Sequence, residues 1–147
     1  MKLLVLSDSH GRIGLIQEII EKESYDKLIF LGDGLRDFEY INDEKCIKIA
    51  GNCDLFSIEQ KEVRLKIEDV QLLATHGHLY RAKLGPFGLI KEARARQVDL
   101  LLYGHTHEQK IEIIDGVKFV NPGSVANGKY AIIEIIGNQT TVELKSI

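Results

Sequence analysis

What the chain has little of narrows it first. Cys46 and Cys53 are its only cysteines, and two cysteines seven residues apart form neither a redox pair nor a zinc motif. With no disulfide framework, nothing points to secretion. No apolar run approaches the length of a membrane span. The hydrophobic start, Met1 to Leu6, is too short for the core of a signal peptide and leads straight into Ser7-Asp8-Ser9-His10. A cytoplasmic protein with reduced thiols and no membrane partner is therefore expected. Basic charge is not in excess either, since 19 Lys and Arg stand against 22 Asp and Glu. Tracking long nucleic acid takes a basic stripe that neutralises several phosphates. Here the basic residues form only short clusters, such as Lys91, Arg94 and Arg96.

What is present is a chain of 147 residues, 44% hydrophobic, with both signs of charge throughout. That length suits one domain, and no repeat, low-complexity tract or linker divides it, so residues 1–147 are expected to form a single unit. A chain of this size can bury about two thirds of its unfolded surface and needs no structural metal. Any metal it binds is expected to serve chemistry before folding.

The pattern along the chain alternates. Leu3 to Leu6, Lys27 to Leu31 and Cys46 to Ala50 read as strands buried on both faces. Ile13, Ile16, Ile19 and Ile20 recur at helical spacing, so a helix runs to about Glu23, and a helical turn is expected around Phe38 to Ile41. This order of strand, polar loop and helix predicts parallel α/β structure. Further on, Glu62 to Ile67 and Val70 to Ala74 read as a hairpin about Glu68-Asp69. A helix from Phe87 to Arg96 enters through Pro86, and Asp99 to Tyr103 is another apolar strand. Two more hairpins follow, Ile111 to Ile114 with Val117 to Val120 and Tyr130 to Ile136 with Thr140 to Leu144, separated by a break at Asn121-Pro122-Gly123-Ser124. The prediction is an α/β fold with two packed sheets and helices outside.

Five polar clusters each follow a predicted strand: Asp8-Ser9-His10, Gly32-Asp33, Gly51-Asn52, His76-Gly77-His78 and Gly104-His105-Thr106-His107. They contain all 5 histidines of the protein. In α/β sheets, loops beyond the carboxyl ends of parallel strands line the ligand crevice, so most of these clusters should meet at one edge. Imidazole nitrogen with carboxylate and amide oxygen suits borderline divalent metals such as Mn, Fe, Co, Ni or Zn. The donors are too many for one tetrahedral zinc. Two ions sharing a bridging carboxylate, about 3.5–4 Å apart, would use them all and clamp a phosphoryl centre. Singly, each residue has an ordinary reading: Asp33 between glycines or Asn52 after Gly51 is at home in a turn, and a lone histidine is usually a surface or satisfied core residue. Their joint placement is what those readings leave unexplained.

In this order the five motifs resemble the calcineurin-like metallophosphoesterase superfamily, and more narrowly its minimal single-domain phosphodiesterases, whose Asn121-Pro122-Gly123-Ser124 segment is also typical. The resemblance spans essentially the whole chain. It implies a four-layer α-β-β-α sandwich with two mixed β-sheets. It implies that Asp8, His10 and His107 hold one divalent ion and Asn52, His76 and His105 the other, with Asp33 bridging. Mn²⁺ heads the candidate metals, followed by Ni²⁺, Co²⁺, Fe²⁺ and Zn²⁺. The implied catalytic residues are Asp33, Asn52 and His76, with Asn52 and Cys53 against substrate. Two such cations lower the pKa of a shared water toward about 7 and neutralise phosphoryl charge.

One departure narrows the chemistry. Larger relatives carry histidine where this chain has Cys53, and that histidine is usually assigned to phosphate contact or leaving-group protonation. A thiol with pKa of about 8.5 is a poor substitute for an imidazolium acid. Small phosphodiesters are therefore expected over monoesters, and long nucleic acid is not expected. Cys53 also reads as a small packing residue. His78 should lie beside the site without being a ligand, and Arg12, Arg36 and Arg81 are either solvated or near phosphate. Non-catalytic relatives of the retromer-subunit type use the same fold as a protein-binding scaffold, but typically lose a ligand in the last motif, where His105 and His107 are both present. The terminal strand, Thr140 to Leu144, is a candidate sheet edge that leaves homo-oligomerisation open.

Overall fold

The computed structural model describes all residues, Met1 to Ile147. Strand β1 (Lys2–Leu6) sends alternate side chains to opposite sides, and this sets the layering. Leu3 and Val5 enter one apolar cluster while Leu4 and Leu6 enter another. Helix α1 (Ile13–Lys22) closes the second cluster with Ile16 and Ile19. Strands β2 (Lys27–Phe30) and β3 (Cys46–Lys48) follow, both parallel to β1.

The chain then builds a second sheet. Strands β4 (Glu62–Ile67) and β5 (Val70–Thr75) form the expected hairpin. Helix α2 (Phe87–Arg96) leads to β6 (Leu100–Leu102), which lies parallel to β5. The hairpin β7 (Gln109–Ile114) and β8 (Val117–Pro122) turns at Asp115-Gly116, both at positive φ, and places β8 parallel to β6. Finally β9 (Lys129–Ile136) and β10 (Gln139–Ser146) return to the first sheet, β9 antiparallel to β1. The sheet orders are β10-β9-β1-β2-β3 and β4-β5-β6-β8-β7, so both are mixed, as expected.

Between the sheets lie 15 buried apolar residues, with Leu3, Ile29 and Ile133 from one sheet meeting Leu72, Leu100 and Val120 from the other. On the far side of the second sheet, Leu89 and Ala93 of α2 pack on Leu73, Leu101 and Phe119. Helix, sheet, sheet, helix is the four-layer arrangement. Truncating a fully buried member such as Leu72 to alanine typically costs about 2–5 kcal/mol.

The departures from expectation are local. The helical turn lies at Leu35–Phe38, earlier than Phe38 to Ile41, because the loop folds back on Asp54 just after Gly34. β3 stops at Lys48, since the amide of Ala50 turns to the carbonyl of Gln60. The break at Asn121-Pro122 comes two residues later than expected, at Gly123 with φ of +80°. β10 outruns Thr140 to Leu144 at both ends because it pairs along the whole of β9. It is a sheet edge, as expected.

Candidate metal centre

Each of the five motif loops leaves the carboxyl end of a strand. Those after β1, β2 and β3 belong to one sheet and those after β5 and β6 to the other, and the face-to-face sheets bring them together. The backbone there is unusual. Asp8, His10, Asp33, His105 and His107 all have φ between +43° and +68°, and they are five of the ten non-glycine residues at positive φ. Such conformations cost of order 1–3 kcal/mol each and persist only where surrounding contacts impose them. Two glycines permit the close approach: a Cβ at Gly51 would overlap the carboxylate of Asp33, and one at Gly104 would overlap the hydroxyl of Ser7.

The two carboxylates are buried and half-engaged. Asp8 accepts from the Ser7 hydroxyl (2.5 Å) and the His105 amide (3.0 Å) through Oδ2. Its Oδ1 is buried without a hydrogen-bond partner, 3.1 Å from His107 Nε2 and 3.7 Å from His10 Nε2. Asp33 accepts the Cys53 amide through Oδ1 (2.8 Å), while Oδ2 lies 3.3 Å from His76 Nε2. Burial opposes ionisation of Asp33, but His76 and the Cys53 amide outweigh it and hold its pKa well below the usual carboxylate range.

His76 is buried between the sheets' ends, and its Nδ1 donates to the Leu31 carbonyl at 2.8 Å. That bond leaves Nε2 with its lone pair aimed at the carboxylates, and Nε2 has no hydrogen-bond partner. Burial disfavours charge on this ring, yet Asp33 and Asp8 lift its pKa, so the position attracts a positive charge. His105 differs. Burial, then His76 and Lys83, push its pKa down to about 4, which keeps the ring neutral with a free lone pair at neutral pH. His10 and His107 face each other across the mouth, Nε2 to Nε2 3.3 Å, and both are exposed.

Three sets of groups therefore come within coordinating range, each with ligand atoms inside 4.8 Å: Asp8–His10–His107, Asp33–His76–His105, and His10–Asp33–Cys53. A buried, partnerless carboxylate oxygen facing a buried, partnerless imidazole nitrogen is what a divalent cation would satisfy. The donors fit one. Asn52 stands exposed on the loop after β3, its Nδ2 3.5 Å from Cys53 Sγ. Burial and then Asp33 raise the Cys53 thiol, so it stays protonated near neutrality. His78 packs beside His76 and His105, ring centroids 5.4 and 6.2 Å away. Arg12, Arg36 and Arg81 are exposed, and of the three only Arg36 lines the groove beside the site.

The residues that hold the loops carry no role legible along the chain. Asp54 accepts four backbone amides, those of Asp33, Gly34, Leu35 and Gly51, so it ties the loop after β2 to the loop after β3. Asn121 donates to the Gly104 carbonyl and the Thr106 hydroxyl, and Ser124 donates to the Asp8 carbonyl at 2.7 Å. Asp37 accepts the Ser9 hydroxyl and the Gly11 amide. The available signal was the short polar side chain in a glycine-bounded loop, which is the type that bonds nearby backbone.

A model of the calcineurin-like phosphoesterase superfamily domain matches residues 1–137. The chain belongs to the calcineurin-like phosphoesterase superfamily. Among its relatives in that superfamily, the probable metallophosphoesterase YsnB of Bacillus subtilis is 29% identical over 97% of this chain and 89% of its own. Phosphodiesterase YfcE of Escherichia coli is 30% identical, with 86% of this chain and 80% of YfcE covered. The superfamily fold is also seen in a predicted phosphoesterase from Streptococcus pneumoniae, with a TM-score of 0.84 at 23% identity over 99% of this chain and 88% of that one. Vps29 of Chaetomium thermophilum has the same fold, with a TM-score of 0.80 at 15% identity over 100% and 95% of the two chains.

Proposed function

We propose that this superfamily member is a metal-dependent phosphodiesterase that hydrolyses small phosphodiesters, using two divalent cations with Mn²⁺ heading the candidates. The observation that carries the reading is the pair of buried partnerless atoms, Asp8 Oδ1 and His76 Nε2, converging beside Asp33. In this reading Asp8, His10 and His107 hold one ion, Asn52, His76 and His105 the other, and Asp33 both. Bound there, the cations supply an acidified water and offset the charge that builds on the phosphoryl oxygens.

The chain's own residues do the positioning. The bond from His76 Nδ1 to Leu31 fixes the tautomer that presents Nε2 inward. Asp33 stays ionised, anchored by the Cys53 amide. Asn52 and Cys53 stand on the rim, where a bound phosphoryl group would meet them. A thiol held protonated there is a weak acid for a poor leaving group, which favours diesters with good ones. The relatives, phosphodiesterase YfcE and the probable metallophosphoesterase YsnB, support phosphoester hydrolysis. A purely scaffolding role for this fold leaves two buried polar atoms unsatisfied at about 1–3 kcal/mol each with nothing gained. No helix is long and apolar enough to cross a membrane. Both cysteines are free, which agrees with a reducing compartment such as the cytoplasm.

The test is to strip the protein of metal, add Mn²⁺, Ni²⁺, Co²⁺ or Fe²⁺, and assay an activated phosphodiester. Turnover that rises with metal and saturates near two ions per chain is expected. A folded protein that binds the metals and hydrolyses nothing would sink the catalytic reading.

A further inference from the structure

A groove of about 760 Å³ leads away from the metal centre between the loops that follow β2 and β3. His10, Asp33 and Cys53 of the centre line it together with Arg36, Leu55 and Phe56. The loop that carries the last two is fixed at both ends. Asp54, within it, accepts the Gly51 amide at its start and the Asp33, Gly34 and Leu35 amides of the loop after β2, and the Ala50 amide closes on the Gln60 carbonyl.

Between those ties the loop holds apolar side chains in solvent. Leu55 is 71% exposed and Phe56 101%. Phe56 also has φ of +63°, a conformation that bulky side chains seldom adopt. Packing cannot account for it, because the ring belongs to none of the three apolar clusters. A loop tied to its neighbours that presents an exposed aromatic ring on a groove, in a strained conformation, is arranged for something that enters the groove. Arg36, exposed on the same groove, forms no ion pair within the protein and leaves a guanidinium free for an anion.

A phosphodiester has two ester groups, and a centre that binds the phosphoryl group must place the second one somewhere. Resting on the phosphodiesterase reading above, we propose that Leu55 and Phe56 form the subsite for one ester group, that this group is planar and aromatic, and that Arg36 faces the phosphoryl charge. Aryl and nucleoside esters share that chemistry. A groove of this size holds either, and stacking on an exposed aromatic ring tolerates any flat partner.

The chain contains no tryptophan, so Phe56→Trp installs a single reporter at the subsite. Metal-loaded Phe56→Trp is titrated with dimethyl phosphate, diphenyl phosphate and the methyl ester of thymidine 5′-phosphate while indole emission is followed. The aromatic diesters should alter the emission and bind about tenfold more tightly than dimethyl phosphate, in keeping with one stacked ring. Among p-nitrophenyl diesters with methyl, phenyl or thymidine as the second group, wild type should prefer the aromatic pair by a similar factor, mainly through KM. Phe56→Ala should cut that preference to below about threefold, and Phe56→Trp should keep it. Because Phe56 is exposed, the alanine variant should melt as wild type does. Equal binding of dimethyl and diphenyl phosphate, or a preference that Phe56→Ala leaves intact, overturns the proposal even in an active enzyme. Selective binding of the aromatic diesters without turnover of any ester upholds the subsite and defeats the catalytic reading instead.

Discussion

The two halves of the centre are built differently, although each offers one aspartate and two histidines. In the Asp33–His76–His105 half, both Asp33 and His76 are buried, and each has a second bond that fixes it, to the Cys53 amide and the Leu31 carbonyl. In the Asp8–His10–His107 half only Asp8 is buried; side chains of His10 and His107 are 35% and 40% exposed, and neither ring is held by a hydrogen bond to the backbone. One half is set by the fold before any ion arrives. The other is completed at its mouth by two rings that solvent can reach. Preorganised donors lose less freedom on binding, so the inner position should fill first, and the outer one should exchange more readily.

The most damaging way to break this comparison is Asp33→Ala, because Asp33 sits within coordinating range of groups on both sides. Activity on an activated diester should fall by roughly 10³-fold or more, beyond the 10²–10³ of a single lost electrostatic partner. Metal content by mass spectrometry should drop below two ions per chain. Near-normal turnover would contradict the bridging assignment.

His76→Ala and His107→Ala then separate the halves. Both should lose more than the ~100-fold that a merely supporting residue costs. Only His76→Ala should weaken the metal-free protein, because it leaves a cavity, an unpaired Leu31 carbonyl and the Asp33 carboxylate without its neighbour. A cost of about 2–3 kcal/mol lowers Tm by roughly 5–10 °C. His107→Ala should leave that Tm within about 2 °C, since little packing is lost at an exposed position. Equal melting curves for the two variants would remove the distinction.

Asp54→Ala attacks the inner half from behind. It deprives four backbone amides of their acceptor and loosens the loop that carries Asp33. Titration calorimetry should find one ion bound about 10–100-fold more weakly, with the outer position affected less.

The smallest effect concerns the point where the halves touch. Cys53 has its sulfur within coordinating range of His10 and Asp33. Cys53→His should raise the ratio of monoesterase to diesterase activity by about two- to tenfold, short of the 10²–10⁴ available to a well-placed acid. An unchanged ratio would mean that the missing imidazole does not limit monoester cleavage.

Much of this centre was legible along the chain, and the reason is local. Asp8, Asp33, His76, His105 and His107 each follow a short apolar strand directly, so strand pattern and donor chemistry sit within a few residues of one another. Asp54, Asn121 and Ser124 were not legible as supports, because their partners lie far off: Ser124 bonds Asp8 across 116 positions, and Asp54 bonds Asp33 across 21. Two element ends also moved for tertiary reasons, at β3 and at the turn after Gly34.

The amino-acid order by itself determined which donors exist, that they follow strands, and that α/β layers with alternating faces would form, since propensity and periodicity act over a few residues. The tertiary structure decided that one imidazole is locked inward by Leu31 while two others lie open to solvent. It also decided that Phe56 lines the groove shared with His10, Asp33 and Cys53 of the centre. Burial and convergence belong to surfaces brought together from distant parts of the chain, and those are fixed only when the two sheets close on their shared core.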